Sequence, residues 1–288
     1  MSELAAQLDS VVERIEHTEA LDAPAAIVAP LVERMTRSDA VKRVLSGAPL
    51  GHRLHPALTD VPLGMWTAAS TLDIIGGRAS RTAARRLTGL GILAALPTAA
   101  SGLSDWHDTE RRARRVGVVH MAANSAALLL QISSWNARRR GHHIRGRMLG
   151  FVSMGALLGA GYLGGQLVYR NRVGVDPDVP VVEKPGWHVA CRADDLVDGH
   201  PYGADVEGAR VVLVRDLGRI VAMAAVCSHA GGPLDEGRLI GDRIECPWHG
   251  SQFCLADGSV SRGPAASPQP MYETRIHGDV IEVRRSEA

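Results

Sequence analysis

Between Ala57 and Tyr169 the chain carries four apolar stretches that leave it few ways to fold. They run approximately over residues 57–77, 87–103, 116–135 and 148–169, each close to the roughly 20 residues an α-helix needs to cross a bilayer. Arginine clusters separate them: Arg78, Arg81, Arg85 and Arg86, then Arg111, Arg112, Arg114 and Arg115, then Arg138, Arg139, Arg140, Arg145 and Arg147. Helices buried in soluble proteins rarely run this far without a charge, whereas apolar spans joined by short basic loops are what a helical membrane bundle requires. Small residues in Gly155-Ala-Leu-Leu-Gly-Ala-Gly161 and at Gly164 and Gly165 permit close helix approach in lipid. The expectation is an all-α four-helix transmembrane bundle over residues 51–170, multi-pass in a lipid bilayer.

The flanks read differently. Residues 1–50 form an amphipathic helical segment, with Leu4, Leu8, Val11 and Ile15 at helical spacing and a second short helix between Ser38, a good N-cap, and Gly47, a good stop; it is expected to carry no chemistry and to pack on the membrane surface or on the later domain. Residues 171–185 are rich in proline and valine and read as a stiff linker. Over 186–288 short β-like runs at 210–215, 219–226, 243–245 and 280–283 alternate with glycine turns, which suggests a small all-β sandwich or barrel. A formal net charge of +1 offers no field for nucleic acid, so none is expected as a partner.

The chemistry lies in that last domain. Cys227-Ser-His229-Ala-Gly-Gly-Pro-Leu and Cys246-Pro-Trp-His249-Gly-Ser-Gln-Phe form two ligand pairs, with 16 residues between His229 and Cys246. By ligand type alone zinc would accept the set as a structural, non-redox module. The two stretches resemble the Rieske 2Fe-2S family, over roughly residues 178–285, and Gly263-Pro264-Ala-Ala is similar to the proline loop that shields Rieske clusters. The resemblance implies that Cys227 and Cys246 bind one iron through sulfur and that His229 and His249 bind the other. It further implies that Ser251 donates a hydrogen bond to cluster sulfur and that Pro264 covers the cluster.

Three departures shape that expectation. Quinol-oxidising Rieske proteins usually join the two loops by a disulfide, and Gly232 and Trp248 hold those positions here, which resembles the ferredoxin subclass. Phe253 replaces a tyrosine donor, and losing a hydrogen bond to sulfur lowers the potential within the broad Rieske range of about −150 to +300 mV. Cys254 stands where aspartate is frequent; with Cys191 it forms at most one disulfide. The residues past the domain leave no room for the mononuclear iron domain of a Rieske oxygenase, so the expectation is a one-electron carrier. Its partners would be a redox protein or quinone, within a larger respiratory or oxygenase system.

The stretch from Leu50 to Trp66, with His120-Met-Ala-Ala-Asn124 and Gly164-Gly-Gln-Leu-Val-Tyr169, resembles an uncharacterised four-helix bacterial membrane domain over residues 45–175, with Arg53 in place of an expected proline. His55, Asp60, His120 and Asn124 fall at one membrane face if all four stretches span. Three readings of that cluster stand: a hydrogen-bond network with Asp60 and His120 as partners, a quinone site, or a b-type haem between His55 and His120, the latter two making the chain an oxidoreductase. The arginine balance across the four spans is nearly even. The Rieske domain is placed in the cytoplasm by the absent bridging cysteines and signal peptide, against a twin-arginine export reading of Arg138-Arg-Arg.

Overall fold

The computed structural model describes residues 3–175, 177–216 and 218–286; Met1, Ser2, Asp176, Leu217, Glu287 and Ala288 lie outside it. Its helices are α1 (Glu3–His17), α2 (Asp22–Met35), α3 (Asp39–Leu45), α4 (Leu54–Ile75), α5 (Arg81–His107), α6 (Arg111–Arg139) and α7 (His143–Gly165), the last running on as a wider π-turn over Gln166–Arg170. The chain separates into a helical unit, Met1–Met35 with Leu54–Val173, and a β-rich unit, Thr36–Arg53 with Gly174–Ala288.

In the helical unit α4 packs chiefly on α5, and α6 on α7. Its polarity is inverted relative to a water-soluble bundle. Thr88, Ser101, Ser104, Gln131, Ser134 and Ser153 are buried, while Leu93, Leu96, Leu129 and Leu158 stand out, Leu158 with 74% of its surface exposed. The inward hydroxyls bond across helices: Ser153 Oγ donates to the Ala127 carbonyl at 2.9 Å, Ser134 Oγ to Gly146 at 2.6 Å and Thr98 Oγ1 to Leu58 at 3.1 Å. Glycines admit the indoles. Trp66 lies on Gly91, where a Cβ would come within 2.4 Å of Nε1, and Trp106 lies on Gly117. Small residues and hydroxyls inside with large apolar ones outside is the distribution that lipid favours, since lipid gives apolar side chains no reason to hide.

Among the described residues, three helices are long and apolar enough to cross a membrane: Arg81–His107, Arg111–Arg139 and His143–Arg170. The helix α4, first of the four expected spans, forms over 22 residues but is not among them. Pro56, Asp60, Pro62 and Asp73 dilute its apolar character. Arg138 is no loop residue: its side chain is buried against Asp73 at the end of α4, which removes it from the charge balance and from any exposed twin-arginine signal.

Among its described residues the β-rich unit holds ten strands: β1 (His188–Arg192), β2 (Pro201–Val206), β3 (Ala209–Asp216), β4 (Arg219–Ala224), β5 (Arg238–Ile240), β6 (Arg243–Glu245), β7 (Gln252–Cys254), β8 (Val260–Arg262), β9 (Met271–His277) and β10 (Val280–Arg285). A six-stranded sheet runs in the order β1-β10-β9-β4-β3-β2, and a four-stranded one runs β5-β6-β7-β8. Alternation along β3 divides its run of valines between two cores. Val211 and Leu213 join Ala222, Ile281 and Val283 on one face; Val212 and Val214 join Met223, Ile244, Phe253, Cys227 and Cys246 on the other. The second core therefore lies beneath the two cysteine-bearing loops.

Two segments take places that the sequence alone did not decide. Val182, expected in a free linker, is buried in the first core, and its N–H donates to the Tyr272 hydroxyl at 3.2 Å. Residues 36–53, divided in sequence between the 1–50 segment and the membrane domain, form a strap on the β unit, the later domain being one of the two places expected for that segment. Its helix α3 starts after Ser38 and stops at Gly47, whose φ of +87° suits glycine, as the sequence predicts. The strap is fastened by Arg43 Nε to the Val260 carbonyl at 2.8 Å and by Asp39 to Arg262 at 2.7 Å.

Candidate metal centre

The two motif loops are built alike. In the first, after β4, the Cys227 N–H donates to the Gly232 carbonyl and the Gly231 N–H returns to the Cys227 carbonyl, both at 2.8 Å. In the second, after β6, the Cys246 N–H donates to the Ser251 carbonyl at 2.8 Å and the Gly250 N–H returns to Cys246 at 3.0 Å. The residue four past each cysteine must take a left-handed turn, and Gly231 (φ +78°) and Gly250 (φ +70°) do so. That is the physical reason for a glycine at that spacing in both motifs.

Closing the loops this way turns backbone N–H groups onto sulfur. Those of His229 and Ala230 face Cys227, and those of Trp248 and His249 face Cys246. The two thiols also share a hydrogen bond. It lowers Cys246 to about 7, with the two backbone donors adding to the effect, and raises Cys227, which burial raises further. The imidazoles of His229 and His249 meet edge to face with ring centroids 4.9 Å apart. Burial first, and the charge of Arg53 next, push His229 down to about 2, so its ring is neutral.

The surroundings leave this cradle clear. A Cβ on Gly232 would stand 2.7 Å from Cys246 Sγ, so a side chain there would force the loop to shift. Ser251 is fully buried, and its Oγ accepts the Ala265 N–H at 3.0 Å, while Pro264 is buried in the same loop. All four cysteines are free. The expected alternative of a Cys191–Cys254 bridge is not formed: Cys191 belongs to the first core and Cys254 to the second sheet. Thiols paired with thiols and imidazoles with imidazoles, at the tips of two loops, suit a cluster whose two metals take different ligands.

Two residues of this centre were not placed in it by the sequence, although Arg53 stands out there as a departure from an expected proline. Gln269, in the segment before β9, accepts the Ser228 N–H on Oε1 at 3.2 Å and donates Nε2 to the Ala224 and Val226 carbonyls, fixing the first loop. Arg53, from the strap, donates Nη1 to the Pro264 carbonyl at 2.8 Å. Both act across more than 40 residues, beyond any local pattern.

In the helical unit the expected polar cluster is only partly assembled. His120 Nδ1 bonds the Ala160 carbonyl of α7 at 2.8 Å, and Asn124 Nδ2 lies 3.2 Å from His120 Nε2. His55 Nδ1 bonds the Thr98 carbonyl of α5 at 3.0 Å. Asp60 does not partner His120; it is exposed, in a groove with Gly64, Thr67 and Thr71.

Residues 186–273 match the Rieske [2Fe-2S] domain, and residues 51–177 match a predicted membrane protein family, DUF2231. The ferredoxin component of the naphthalene 1,2-dioxygenase system of Pseudomonas putida is 30% identical over 90 residues, 31% of this chain and 86% of that one. Apoptosis-inducing factor 3 of Homo sapiens is 31% identical over 96 residues, 33% of this chain and 16% of that one. The chain thus spans about one sixth of the first curated relatives it matches. The solved ferredoxin of carbazole 1,9a-dioxygenase from Nocardioides aromaticivorans IC177 is 32% identical and covers 34% of this chain and 96% of its own, with a TM-score of 0.33. A Rieske domain implies a [2Fe-2S] cluster, which displaces the zinc alternative. Through residues 186–273 the chain belongs to the Rieske [2Fe-2S] family, carried behind a DUF2231 domain.

Proposed function

We propose that this chain is a membrane-anchored, one-electron carrier in which Cys227 and Cys246 hold one iron of a [2Fe-2S] cluster and His229 and His249 hold the other. The observation that carries this reading is the pairing of like donors: two hydrogen-bonded thiols, each faced by two backbone N–H groups, beside two imidazoles in edge-to-face contact. Bound there, the cluster supplies a one-electron couple. The protein's part is to hold and tune it. Backbone N–H groups stabilise negative charge on the cysteine sulfurs, Ser251 presents a hydroxyl, and Pro264 closes the loop above it. His229 and His249, half-buried, offer the way out for an electron, beside Trp248, which is 56% exposed. The partner class is an oxygenase component, supported by the kinship with a dioxygenase-system ferredoxin.

The DUF2231 domain is the anchor, multi-pass through the three long apolar helices. Both ring nitrogens of His120 are engaged within the helical unit, which supports a hydrogen-bond network there in preference to a quinone or b-type haem site.

The direct test is electron paramagnetic resonance of the reduced, detergent-solubilised full chain, with iron and sulfide assays. A Rieske-type signal with matching iron and sulfide is expected; zinc-bearing protein without a signal would end the reading. We place the β unit in the cytoplasm. A cysteine introduced by Val175→Cys in a Cys254→Ser background should escape a membrane-impermeant maleimide in intact cells and react once they are broken. Labelling of intact cells would reverse the orientation.

A further inference from the structure

We propose that Arg53 is a positioning residue that raises the reduction potential of the cluster, acting through the Pro264–Ala265 peptide group on Ser251. The inference rests on the ligand reading above. Its basis is a relay through one peptide unit. Arg53 Nη1 donates to the Pro264 carbonyl at 2.8 Å, and the N–H of that same peptide, on Ala265, donates to Ser251 Oγ at 3.0 Å. A guanidinium on the carbonyl polarises the peptide, strengthens its N–H as a donor, and thereby makes the serine O–H a better donor in turn. Ser251 is fully buried in the second motif loop, and its own carbonyl takes the Cys246 N–H at 2.8 Å. A stronger donor at Ser251 favours the more negative, reduced state, and the buried positive charge of Arg53 acts in the same direction.

The strap is built to hold that guanidinium in place. Arg53 is itself buried, at 7% exposure. The end of α3 sits so tightly on Gly263 that a Cβ there would be 2.1 Å from Ser46 Oγ. Ala48 packs against the core that contains Cys227 and Cys246, and Ser267 Oγ donates to the Gly51 carbonyl at 3.3 Å. Gly174, at φ +74°, leaves room for the arginine stem, which a Cβ would approach to 3.3 Å. The helix α3 lies in neither matched family segment, 51–177 or 186–273.

The test is a redox titration of the full-length protein in detergent, followed by electron paramagnetic resonance. Arg53→Gln should keep its iron and its signal but shift the oxidised-to-reduced ratio at fixed ambient potential about tenfold toward oxidised, ~59 mV for one electron. Arg53→Lys, which retains the charge, should recover most of that shift. In a Ser251→Ala background, Arg53→Gln should shift the ratio by less than half as much on a logarithmic scale, because the relay is already cut. A ratio within twofold of wild type for Arg53→Gln, or full additivity with Ser251→Ala, overturns the proposal. If Arg53→Gln assembles no cluster, Arg53→Met repeats the measurement with a side chain suited to burial, and failure of both to assemble makes the residue structural and also overturns it. A wild-type chain without a cluster would instead overturn the ligand reading.

Discussion

Full-length protein carrying Cys246→Ser is expected to be colourless, with at least ~tenfold less iron per chain than wild type, while Cys191→Ser stays as coloured as wild type. The floor is set by outer partners of metal ligands, whose loss alone costs about 10–100-fold in affinity. The four cysteines divide by environment. Cys227 and Cys246 share a hydrogen bond at the tips of two matched loops. Metals bind thiolate rather than thiol, so removing Cys246 removes one of the two sulfur donors and unties its partner. Cys191 sits in the other core, where burial raises its thiol to about 11, a state suited to packing. Serine is close to cysteine in size, so the β unit should keep its strand signature by circular dichroism. Iron analysis of the variants decides the matter: a coloured Cys246→Ser protein, or a colourless Cys191→Ser one, would sink the assignment.

The parts of this molecule that could be read from sequence are those whose cause is local. Val211-Val-Leu-Val214 announces a strand because alternate residues face different cores, and the glycine four past each motif cysteine announces a left-handed turn. Ser38 and Gly47 bracket α3 correctly for the same reason. Strands of three residues, such as β5, β7 and β8, are too short to show a period, and their existence is decided by pairing. The helix α2 falls within the segment read as helical, although its own bounds were not marked in the sequence; Pro24 lies in its first turn, where no N–H is missed, and Pro30 is tolerated inside it. Long-range fastenings left no trace: nothing near Gln269 or Arg53 tells of Ser228 or Pro264. Nothing local chose between the two places expected for the 1–50 segment, the membrane surface and the later domain, because a strap's destination depends on the shape of what it packs against.

Arg138 is where local reading fails most instructively, and Asp73→Ala should expose its role by destabilising the helical unit by about 3–5 kcal/mol. In sequence Arg138 opens a run of three arginines and reads as a loop charge. In the structure its side chain is 4% exposed and that of Asp73 is 7%. Its Nη1 donates to Asp73 Oδ1 at 2.9 Å, its Nη2 pairs with Oδ2, and its Nε donates to Ser134 Oγ at 3.1 Å. Gly146 makes the space, since a Cβ there would be 2.6 Å from Arg138 Cγ. Truncating one partner leaves a buried, uncompensated charge, which is why the penalty exceeds the net worth of the pair. At the usual scaling for a unit of this size the melting temperature should fall by roughly 6–20 °C, followed as helical circular dichroism in detergent. The visible absorption of the cluster, reporting the β unit, is the internal control and should still be present in Asp73→Ala before heating. Replacing both partners by apolar residues, Asp73→Leu with Arg138→Met, should restore most of the loss, because no charge is then stranded. An Asp73→Ala protein that melts with wild type would show that water or lipid headgroups reach Arg138, and the buried pair would then have to be abandoned as the lock between the ends of α4 and α6.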